Sequence, residues 1–360
     1  MKYPDFTEQH QSLMARNLTP ALFTQLQDVV TTNGFTLLDL VNSGLVNPDS
    51  DIGVYACDTE SYQCFAPLFD PIISQYHGFD ENSVHITNLN PEDIDINDPD
   101  PSNKYIVSTR IRVGRNLAEM PLGPAITQSQ RDDVEAQTVA ALTKVSGSLS
   151  GHYFALSAMS DEIKAQLIDD HFLFKAGDRF FEAAGLNRDW PAGRGIYHNH
   201  DKTFLVWVNE EDHLRIISMQ AGGNITQVFT RLTRALAELE QHLNFAFTPH
   251  LGYISSCPTN LGTAMRASVH IKLPCLGQDM AAFSTITQAF NLQIRGIHGE
   301  HSASEGHVYD ISNRRRLGVT EVECVQDLYD GVVALIAQEK VLEQLATSEV
   351  EHDRGRPSTT

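Results

Sequence analysis

The sequence SCPTNLGTAMR, residues 256–266, leads into the alternating segment SVHIKL, residues 268–273. In a β-strand, side chains two residues apart lie on the same face, about 7 Å from each other. The apolar residues at 269, 271 and 273 therefore share one face, and the opposite face carries Arg266, Ser268, His270 and Lys272. This pattern predicts a strand that packs one face into a core and presents a cationic face to an anion.

The segment YIVSTRIRV, residues 105–113, repeats the pattern. Ser108, Arg110 and Arg112 alternate with the apolar or small residues at 107, 109, 111 and 113. A guanidinium group keeps its charge, so two arginines at this spacing are not expected to face a core. Because the planar fork of arginine suits phosphate oxygens, the segment predicts a second strand of a phosphate-binding surface.

The composition excludes several classes of protein. The chain has 360 residues, 41% of them hydrophobic, which is enough for one large domain or two smaller ones. Its formal net charge of −20 argues against a nucleic-acid partner, because a phosphate backbone requires a basic face. The sequence has no run of about 18 apolar residues, and the N-terminal MKYPDF lacks the apolar core of a signal peptide. Neither nucleic acid nor a membrane is expected as a partner.

The cysteines indicate a reducing compartment. Five of them are spread along the chain without a CxxC pair, namely Cys57, Cys64, Cys257, Cys275 and Cys324. An odd number without metal-ligand spacing favours free thiols over disulfides or a zinc site. A cytoplasmic location is therefore expected.

The first part of the chain predicts a small helical domain, residues 1–90. Thr19 followed by Pro20 is typical of a helix N-terminus, and shorter helical patterns occur at 36–41 and 60–76. The segment PEDIDINDPDP, residues 91–101, has five acidic residues and three prolines. Such a composition predicts a linker, residues 91–103, that neither packs into a core nor continues a helix.

Beyond the linker, strands alternate with helices in a predicted second domain, residues 104–346. We expect the strand at 105–113, a helix that opens with the capping box at 127–130, and a hairpin from Phe204 to Gln220 that turns at 210–212. A long helix should begin near Ile225, and a last one should run from Thr320 to about Leu345. A disordered tail is predicted for residues 347–360.

Several long motifs resemble one known family. They are CPTNLGT at 257–263, STRIRVGRN at 108–116, VWVNEEDHLRIISMQ at 206–220, RGIHGEH at 295–301 and VYDISN at 308–313. Together they resemble the phosphagen (guanidino) kinases, most closely those that act on arginine, over roughly residues 19–345. The resemblance implies an α+β fold, with a small all-α N-terminal domain and a C-terminal domain in which helices flank a mainly antiparallel β-sheet, as in the guanido kinases and glutamine synthetase.

The resemblance also implies how ATP is held. The chain has neither a GxxxxGK[ST] phosphate loop nor the HRD and DFG motifs of protein kinases, so arginine side chains are expected to replace a glycine cradle. Magnesium is expected to bind through the nucleotide phosphates and water, with no protein side chain assigned as a metal ligand. The residues that match ATP-binding positions of the family are Ser108, Arg110, Arg112, His171, Arg215, Arg266, His270, Arg295 and Asp310.

Two glutamates and one cysteine match catalytic positions of the family. A guanidinium group must lose a proton as it becomes phosphorylated, and Glu211 and Glu300 are expected to orient it and accept that proton. Cys257 is expected to contact the guanidine as a thiolate whose pKa is lowered by hydroxyl donors such as Thr259. The glycine-rich segment from Arg295 to Gly306 is expected to close over the substrates as a lid.

The guanidine itself is expected to bind a loop of the N-terminal domain. By resemblance, the backbone amides of Asp51, Ile52 and Gly53 face a substrate carboxylate, Ser50 lies beside them, and Tyr55 lies near the substrate amino group. Related arginine kinases usually have glycine at position 51, so the side chain of Asp51 must point outward if arginine binds. Ile297 and His298 also replace residues that are frequent in the lid of the family.

The expected activity is reversible transfer of the γ-phosphoryl group of ATP to free L-arginine, which gives phosphoarginine and ADP and buffers ATP. The alternatives are another guanidine such as taurocyamine, lombricine or creatine, a protein-arginine kinase, and a non-enzymatic sensor of arginine or nucleotide. Creatine kinases carry an apolar residue at the position of Glu300, and the acceptor loop would close the site to a polypeptide. A monomer is expected, with a homodimer as the alternative.

Overall fold

The N-terminal part of the protein is helical, as the sequence predicts. The computed structural model describes residues 2–169, 172–174, 176–295 and 306–354. Thr19 caps the second helix through the amide of Leu22, and Thr36 and Asp39 form a capping box at the start of the third. The helices are α1 (Leu13–Asn17), α2 (Pro20–Leu26), α3 (Leu37–Val46), α4 (Ser61–Cys64) and α5 (Ala66–His77).

The C-terminal domain is built on an eight-stranded antiparallel sheet, which confirms the predicted fold class. Its strand order is β2-β3-β4-β5-β1-β8-β10-β9, and a separate short hairpin joins β6 to β7. The strands are β1 (Ile106–Arg115), β2 (Gly151–Ala155), β3 (Gly195–Asn199), β4 (Phe204–Val208), β5 (Leu214–Ala221), β6 (Phe247–Thr248), β7 (Gly252–Tyr253), β8 (Met265–Lys272), β9 (Leu292–Arg295) and β10 (Val308–Asn313).

The helices of this domain cover the sheet. The long amphipathic helix predicted from Ile225 is present and packs on β1 and β5, and α11 packs on β8 and β10. The helices are α6 (Gln128–Leu142), α7 (Asp161–Asp169), α8 (Arg179–Ala183), α9 (Ile225–Leu239), α10 (Met280–Ala289) and α11 (Glu321–Arg354).

The two faces of the sheet differ as the alternating pattern predicts, with one exception. Ile111 and Val269 belong to the main hydrophobic core, whereas Arg110, Arg112 and Arg266 lie on the opposite face. Val107 was expected in the core, but 51% of its surface is exposed. The register of β1 against β8 shifts between Ile106 and Ser108, so Ile106 takes the core position instead.

The acidic linker packs more closely than its composition suggests. Ile94 is buried in the main core, which contradicts the prediction that this segment packs into none. The carboxylate of Asp100 is also buried and accepts the backbone N–H groups of Tyr105 at 2.6 Å and Ile106 at 2.8 Å. An apolar residue among the acids and one carboxylate that caps β1 therefore attach the linker to the sheet.

The last helix is longer than predicted. It begins after Thr320, whose backbone N–H donates to Glu323, but it continues to Arg354 instead of ending near Leu345. Residues 346–354 contain neither glycine nor proline, so no helix-breaking residue stops it. The helix therefore takes in the first part of the predicted tail, and residues 355–360 lie outside the described chain.

A shared core joins the two domains. Leu122, Leu251, Ile254 and Leu317 of the C-terminal domain are buried in one cluster with the helices of the N-terminal domain. The boundaries at residues 90, 103 and 346 remain predictions from the sequence. Within the described ranges, no helix combines the length and apolarity needed to cross a membrane.

Glu339 ties α11 to the turn that follows β8. Its side chain is fully buried, and its carboxylate oxygens accept the backbone N–H groups of Cys275 at 2.8 Å and Leu276 at 2.7 Å. Buried N–H groups are costly to leave without an acceptor. This carboxylate therefore stabilises the packing of the last helix against the sheet.

We expect Glu339→Ala to lower the free energy of unfolding by about 2–3 kcal/mol, because two buried N–H groups lose their acceptor. Glu339→Gln keeps one acceptor oxygen and should lose roughly half as much. Urea denaturation followed by circular dichroism measures both changes. An alanine variant as stable as the wild type would show that this carboxylate does not stabilise the turn.

Candidate active site

A cavity of about 630 Å³ opens where the N-terminal loop, the hairpin tip and the polar face of the sheet meet. It contains every predicted acceptor residue that the structure describes, and two of the predicted ATP-binding arginines. Its lining residues are Asp49, Ser50, Asp51, Ile52, Gly53, Tyr55, Tyr76, Arg112, Arg179, Phe180, Phe181, Glu211, Cys257, Thr259, Asn260, Arg295 and Arg316.

The loop at residues 49–53 is held by its carbonyl groups. The N–H of Leu13 donates to the carbonyl of Asp51 at 2.8 Å, and the N–H of Met14 donates to that of Ile52 at 2.9 Å. Within the described part of the chain, the amides of Asp51, Ile52 and Gly53 have no hydrogen-bond acceptor. This edge of the loop therefore offers N–H donors to a ligand. Asp51 is exposed, as arginine binding would require, although it still borders the cavity.

The hairpin tip at residues 209–213 is buried, whereas a hairpin tip is usually solvated. Asn209 has a positive φ of 55°, and its Nδ2 donates to the carbonyl of Gly193 at 2.6 Å. The Oδ1 atom of Asp212 accepts hydrogen bonds from Asn116 Nδ2 at 2.7 Å and Ser255 Oγ at 2.8 Å. These bonds hold the tip against the body of the domain. Only 8% of the surface of Glu211 is exposed.

Glu211 lies next to a cation. Its Oε2 accepts from Arg215 Nη2 at 2.8 Å, and Arg215 Nη1 lies 2.7 Å from Glu210. Burial raises the pKa of Glu211 to about 7, although Arg215 acts to lower it, and the negative charges of Asp212 and Glu210 also act to raise it. The carboxyl group is therefore able to exchange a proton near neutral pH.

The thiol of Cys257 faces the same cavity. Its Sγ lies 3.1 Å from Thr259 Oγ1, a contact that acts to lower its pKa as predicted. Burial and the charge of Glu211 outweigh that contact and raise the pKa of Cys257 to about 12. Cys257 is therefore a neutral thiol in the protein without a bound cation, and the thiolate expected beside a guanidinium stays a prediction.

The predicted arginines of β1, β5 and β8 lie on one face of the sheet. Arg112 is directly opposite Arg266 on β8, and Arg215 is opposite Gly114 on the other side of β1. The guanidinium groups of Arg110 and Arg215 lie 5.3 Å and 5.7 Å from the centre of the Trp207 ring. The guanidinium groups therefore form a dense array of cations on this face, and the ring of Trp207 lies beside two of them.

Positive charge exceeds negative charge around Arg110 and Arg112. Burial, and then the charges of Arg266 and Arg215, lower the pKa of Arg110 to about 10, and burial and neighbouring arginines also lower the pKa of Arg112. Among the described residues, no side chain or carbonyl accepts a hydrogen bond from Nε or Nη2 of Arg110. An anion bound here would meet donors that are already in position.

The remaining predicted nucleotide residues lie further along the same face. Asp310 on β10 accepts from Arg266 Nη2 at 2.8 Å, and its Oδ2 lies 3.8 Å from His270 Nε2. Burial acts to raise the pKa of Asp310, but Arg266 and His270 hold it at about 2. Strand pairing places His270 opposite Ser108, and Arg295 opposite Asp310. These residues therefore continue the polar surface across β9, β10, β8 and β1.

Several lining residues were missed by the sequence analysis. Arg316 contacts the Cys257 turn, since its Nη1 donates to the carbonyl of Thr259 at 3.1 Å and to the side chain of Asn260. Arg179 on α8 pairs with Asp49, with Nη1 2.8 Å from Oδ1. In the sequence, each of these arginines is an isolated basic residue. Such a residue alone does not distinguish a binding site from a solvated surface. Tyr76, Phe180 and Phe181 complete the wall.

Other predicted residues cannot be located. His171, Ile297, His298 and Glu300 lie outside the described residues, as does the predicted lid except for its ends at Arg295 and Gly306. Over the ranges that the structure covers, no group of three or more His, Cys, Asp or Glu side chains could hold a metal ion.

Comparison with known proteins identifies the family. Residues 8–74 match the profile of the ATP:guanido phosphotransferase N-terminal domain, and residues 133–342 match that of the C-terminal catalytic domain. An arginine kinase of Anthopleura japonica is 54% identical over 334 residues, covering 92% of this chain and 47% of that protein. The chain therefore spans about half the length of this relative. The arginine kinase Lit v 2 of Penaeus vannamei is 51% identical, covering 92% of this chain and 93% of that protein.

Solved structures give the same result. A crystal structure of lombricine kinase has a TM-score of 0.89 and 40% identity, and covers 95% of both chains. The duplicated taurocyamine kinase of Schistosoma mansoni, with bound components of a transition-state analogue, has a TM-score of 0.88 and 39% identity, and covers 98% of this chain and 48% of that one. On its sequence, its fold and the arrangement of its site, this chain belongs to the ATP:guanido phosphotransferase family.

Proposed function

We propose that this chain is an arginine kinase, which reversibly transfers the γ-phosphoryl group of magnesium-bound ATP to the guanidino group of free L-arginine. The main support is one cavity that the buried Glu211 and Cys257 line together with the loop at 51–53 and arginines of the sheet. Among the described residues, the amides of this loop have no hydrogen-bond acceptor. The high identity to arginine kinases over most of the chain supports the choice of substrate.

The cationic face of the sheet would hold the nucleotide. Phosphoryl transfer depends mainly on positioning and on positive charge around the transferred group. Five arginines would supply this charge, namely Arg110, Arg112, Arg215, Arg266 and Arg295. Further along the surface, the nucleotide would also contact Ser108, His270 and Asp310. We also propose that Mg²⁺ binds through the phosphates and water and neutralises phosphate charge, without a ligand from the protein.

Glu211 would act on the acceptor. A nitrogen of the arginine guanidinium attacks the γ-phosphorus, the bond from phosphorus to the β,γ-bridging oxygen breaks, and the guanidinium gives up one proton as the new N–P bond forms. The ionised Glu211 carboxylate can orient the guanidinium and accept that proton, which is a balanced step that yields phosphoarginine and ADP. Glu300 is proposed as its counterpart from the family resemblance.

Cys257 would contact the guanidinium without forming a covalent bond. Its thiol is neutral in the free protein because burial and Glu211 raise its pKa to about 12. A guanidinium bound beside it would favour the thiolate, since an opposite charge at short range lowers a pKa. We therefore assign Cys257 to positioning and to tuning the charge around the substrate.

The loop at residues 50–53 would bind the amino-acid end. The backbone N–H groups of Asp51, Ile52 and Gly53 would donate to a carboxylate, with Ser50 beside them and Tyr55 near the substrate amino group. Asp51 borders the expected carboxylate site, where its negative charge would weaken the binding of any guanidine that carries an anionic group there. Lombricine and taurocyamine are second candidates because kinases of these compounds are similar to this chain in structure, and creatine is a further alternative. A protein-arginine kinase is disfavoured by the loop that closes this end of the cavity.

The setting of the enzyme is also proposed. All five cysteines are free thiols, which suits a reducing cytoplasm. We propose that the chain acts as a monomer on small-molecule substrates, although two of the similar proteins are about twice its length.

A coupled ADP-formation assay with ATP, Mg²⁺ and a panel of guanidines tests the substrate. We expect turnover with L-arginine, and little with creatine, glycocyamine, taurocyamine, lombricine or an arginine-rich protein. The loop amides and Tyr55 are proposed to bind a free α-carboxylate and α-amino group at the distance from the guanidine that the arginine side chain sets. Turnover with another member of the panel would retain the mechanism but reject the assignment of the loop. Absence of turnover with every guanidine would instead favour the sensor.

Glu211→Gln is expected to lower kcat by about 10²–10⁴-fold, because the amide cannot accept the guanidinium proton. Glu238→Gln, at an acidic residue on α9 that does not line the cavity, is the control and should behave like the wild type. Stopped-flow or coupled assays measure kcat, and a thermal scan checks folding. Full activity in the Glu211 variant would remove the proposed base from the mechanism.

The rate of arginine phosphorylation should depend on pH through Glu211. Burial raises the pKa of this carboxyl group to about 7, and the group must be ionised to accept a proton. The value of kcat/KM should therefore fall as pH decreases below about 7 and level off above it. This ascending limb should be absent in Glu211→Gln. A limb that persists in the variant would assign the titration to another group.

A further inference from the structure

The end of the cavity assigned to the amino acid has two walls that come from different domains. One wall is the loop at residues 49–53, and the other is formed by Arg179, Phe180 and Phe181 at the start of α8. Neither wall belongs to the sheet. The distance between them must therefore be set by other contacts.

Helix α3 touches the first wall through Gly44. This residue is buried, and a Cβ atom built on it would lie 2.5 Å from the Cα of Gly53, which is closer than real Cβ atoms approach backbone. The backbone of the loop therefore lies directly on the helix. The next turn of the loop is also attached to α3, because the N–H of Tyr55 donates to the carbonyl of Leu40 at 2.9 Å.

The same helix holds the second wall through its neighbouring residues. Ser43, with only 1% of its surface exposed, donates its hydroxyl proton to the carbonyl of Phe180 at 2.9 Å. Asn42 Nδ2 donates to the carbonyl of Ala183 at 2.7 Å. Helix α8 has only five residues, and none of them is buried. Its position therefore depends strongly on these hydrogen bonds from α3.

The direct link between the walls is weaker. Arg179 pairs with Asp49 across the cavity entrance, but the two side chains are 55% and 65% exposed. Exposed ion pairs contribute little, because water screens the charges and ordering two long side chains costs entropy. The Ser43 side chain is almost fully buried, so its hydrogen bond is screened less. Its loss would leave the Phe180 carbonyl with only the N–H of Ala184 as a donor, and without its bond to α3.

We propose that Ser43 and Gly44 of α3 are positioning residues that set the spacing of the two walls, and thereby the affinity for the guanidine substrate. The inference rests on the proposed function, because it takes the substrate of this cavity to be a guanidino amino acid. Neither residue lines the cavity, so both act through the groups that they hold.

Ser43→Ala tests the proposal. We expect KM for the guanidine to rise by about fivefold, the size expected when one intramolecular hydrogen bond is lost, with KM for ATP and kcat changed by less than about twofold. Gly44→Ala should raise the same KM at least as much. Tyr197→Phe is the matched control, since it removes a buried hydroxyl that donates to the carbonyl of Leu149 at 3.0 Å, away from the cavity.

Hydrogen exchange of the protein without substrate gives a second readout. Amides of residues 178–186 should exchange faster in Ser43→Ala than in the wild type or in Tyr197→Phe. Unchanged exchange there, an unchanged KM for the guanidine, or an equal rise in both KM values would each overturn the proposal. If the wild type phosphorylates no guanidine, the proposed function fails, and the exchange measurement still decides whether Ser43 holds α8. Thermal scans identify variants that fail to fold. If Gly44→Ala fails to fold, Ser43→Ala still tests the proposal.

Discussion

The antiparallel register of β1 against β5 and β8 is the constraint on which the cationic surface depends. It places Arg112 opposite Arg266 and Arg215 opposite Gly114. Because side chains alternate with a period of two, a slip of one residue would turn Arg110 and Arg112 into the core and Ile111 outward. The apolar face, which packs on α9 and α11, therefore selects the register, and the register positions the charges. Stability and ligand binding are carried by opposite faces of the same strands.

The opposing charges at the site are balanced unevenly. Arg266 is paired with Asp310 and Arg215 with Glu210 and Glu211, whereas two guanidinium nitrogens of Arg110 have no acceptor among the described residues. Leaving buried guanidinium groups crowded together costs stability, which is reflected in the lowered pKa of Arg110 and Arg112. A bound polyphosphate would relieve that repulsion and need not displace an existing partner of Arg110. The unfavourable electrostatics of the free protein thus become part of the binding energy.

Local rules predicted most of the elements, and tertiary contacts explain where they failed. The caps at Thr19, Thr127 and Thr320 gave the starts of three helices, and alternation gave the polar faces of β1 and β8. The bulge that exposes Val107 and the burial of Ile94 depend on pairing and packing that no local pattern contains. Family motifs pointed to Glu211, but its burial follows from Asp212, which binds side chains more than 40 residues away. Likewise, only the fold brings the short helix α8 to the cavity.

Ser255 and Ser256 connect the groups that surround the end of the cavity where the guanidine is proposed to bind. The hydroxyl of Ser255 holds Asp212, next to the proposed base, and its carbonyl accepts the hydroxyl of Tyr62 at 2.7 Å. The carbonyl of Ser256, adjacent to Cys257, accepts the N–H of Ala56 at 2.7 Å, immediately after Tyr55 of the loop. Two consecutive residues therefore join the hairpin tip, the thiol and the N-terminal loop. Because these groups are fixed relative to each other before a substrate arrives, less orientational freedom remains to be lost when the guanidine binds.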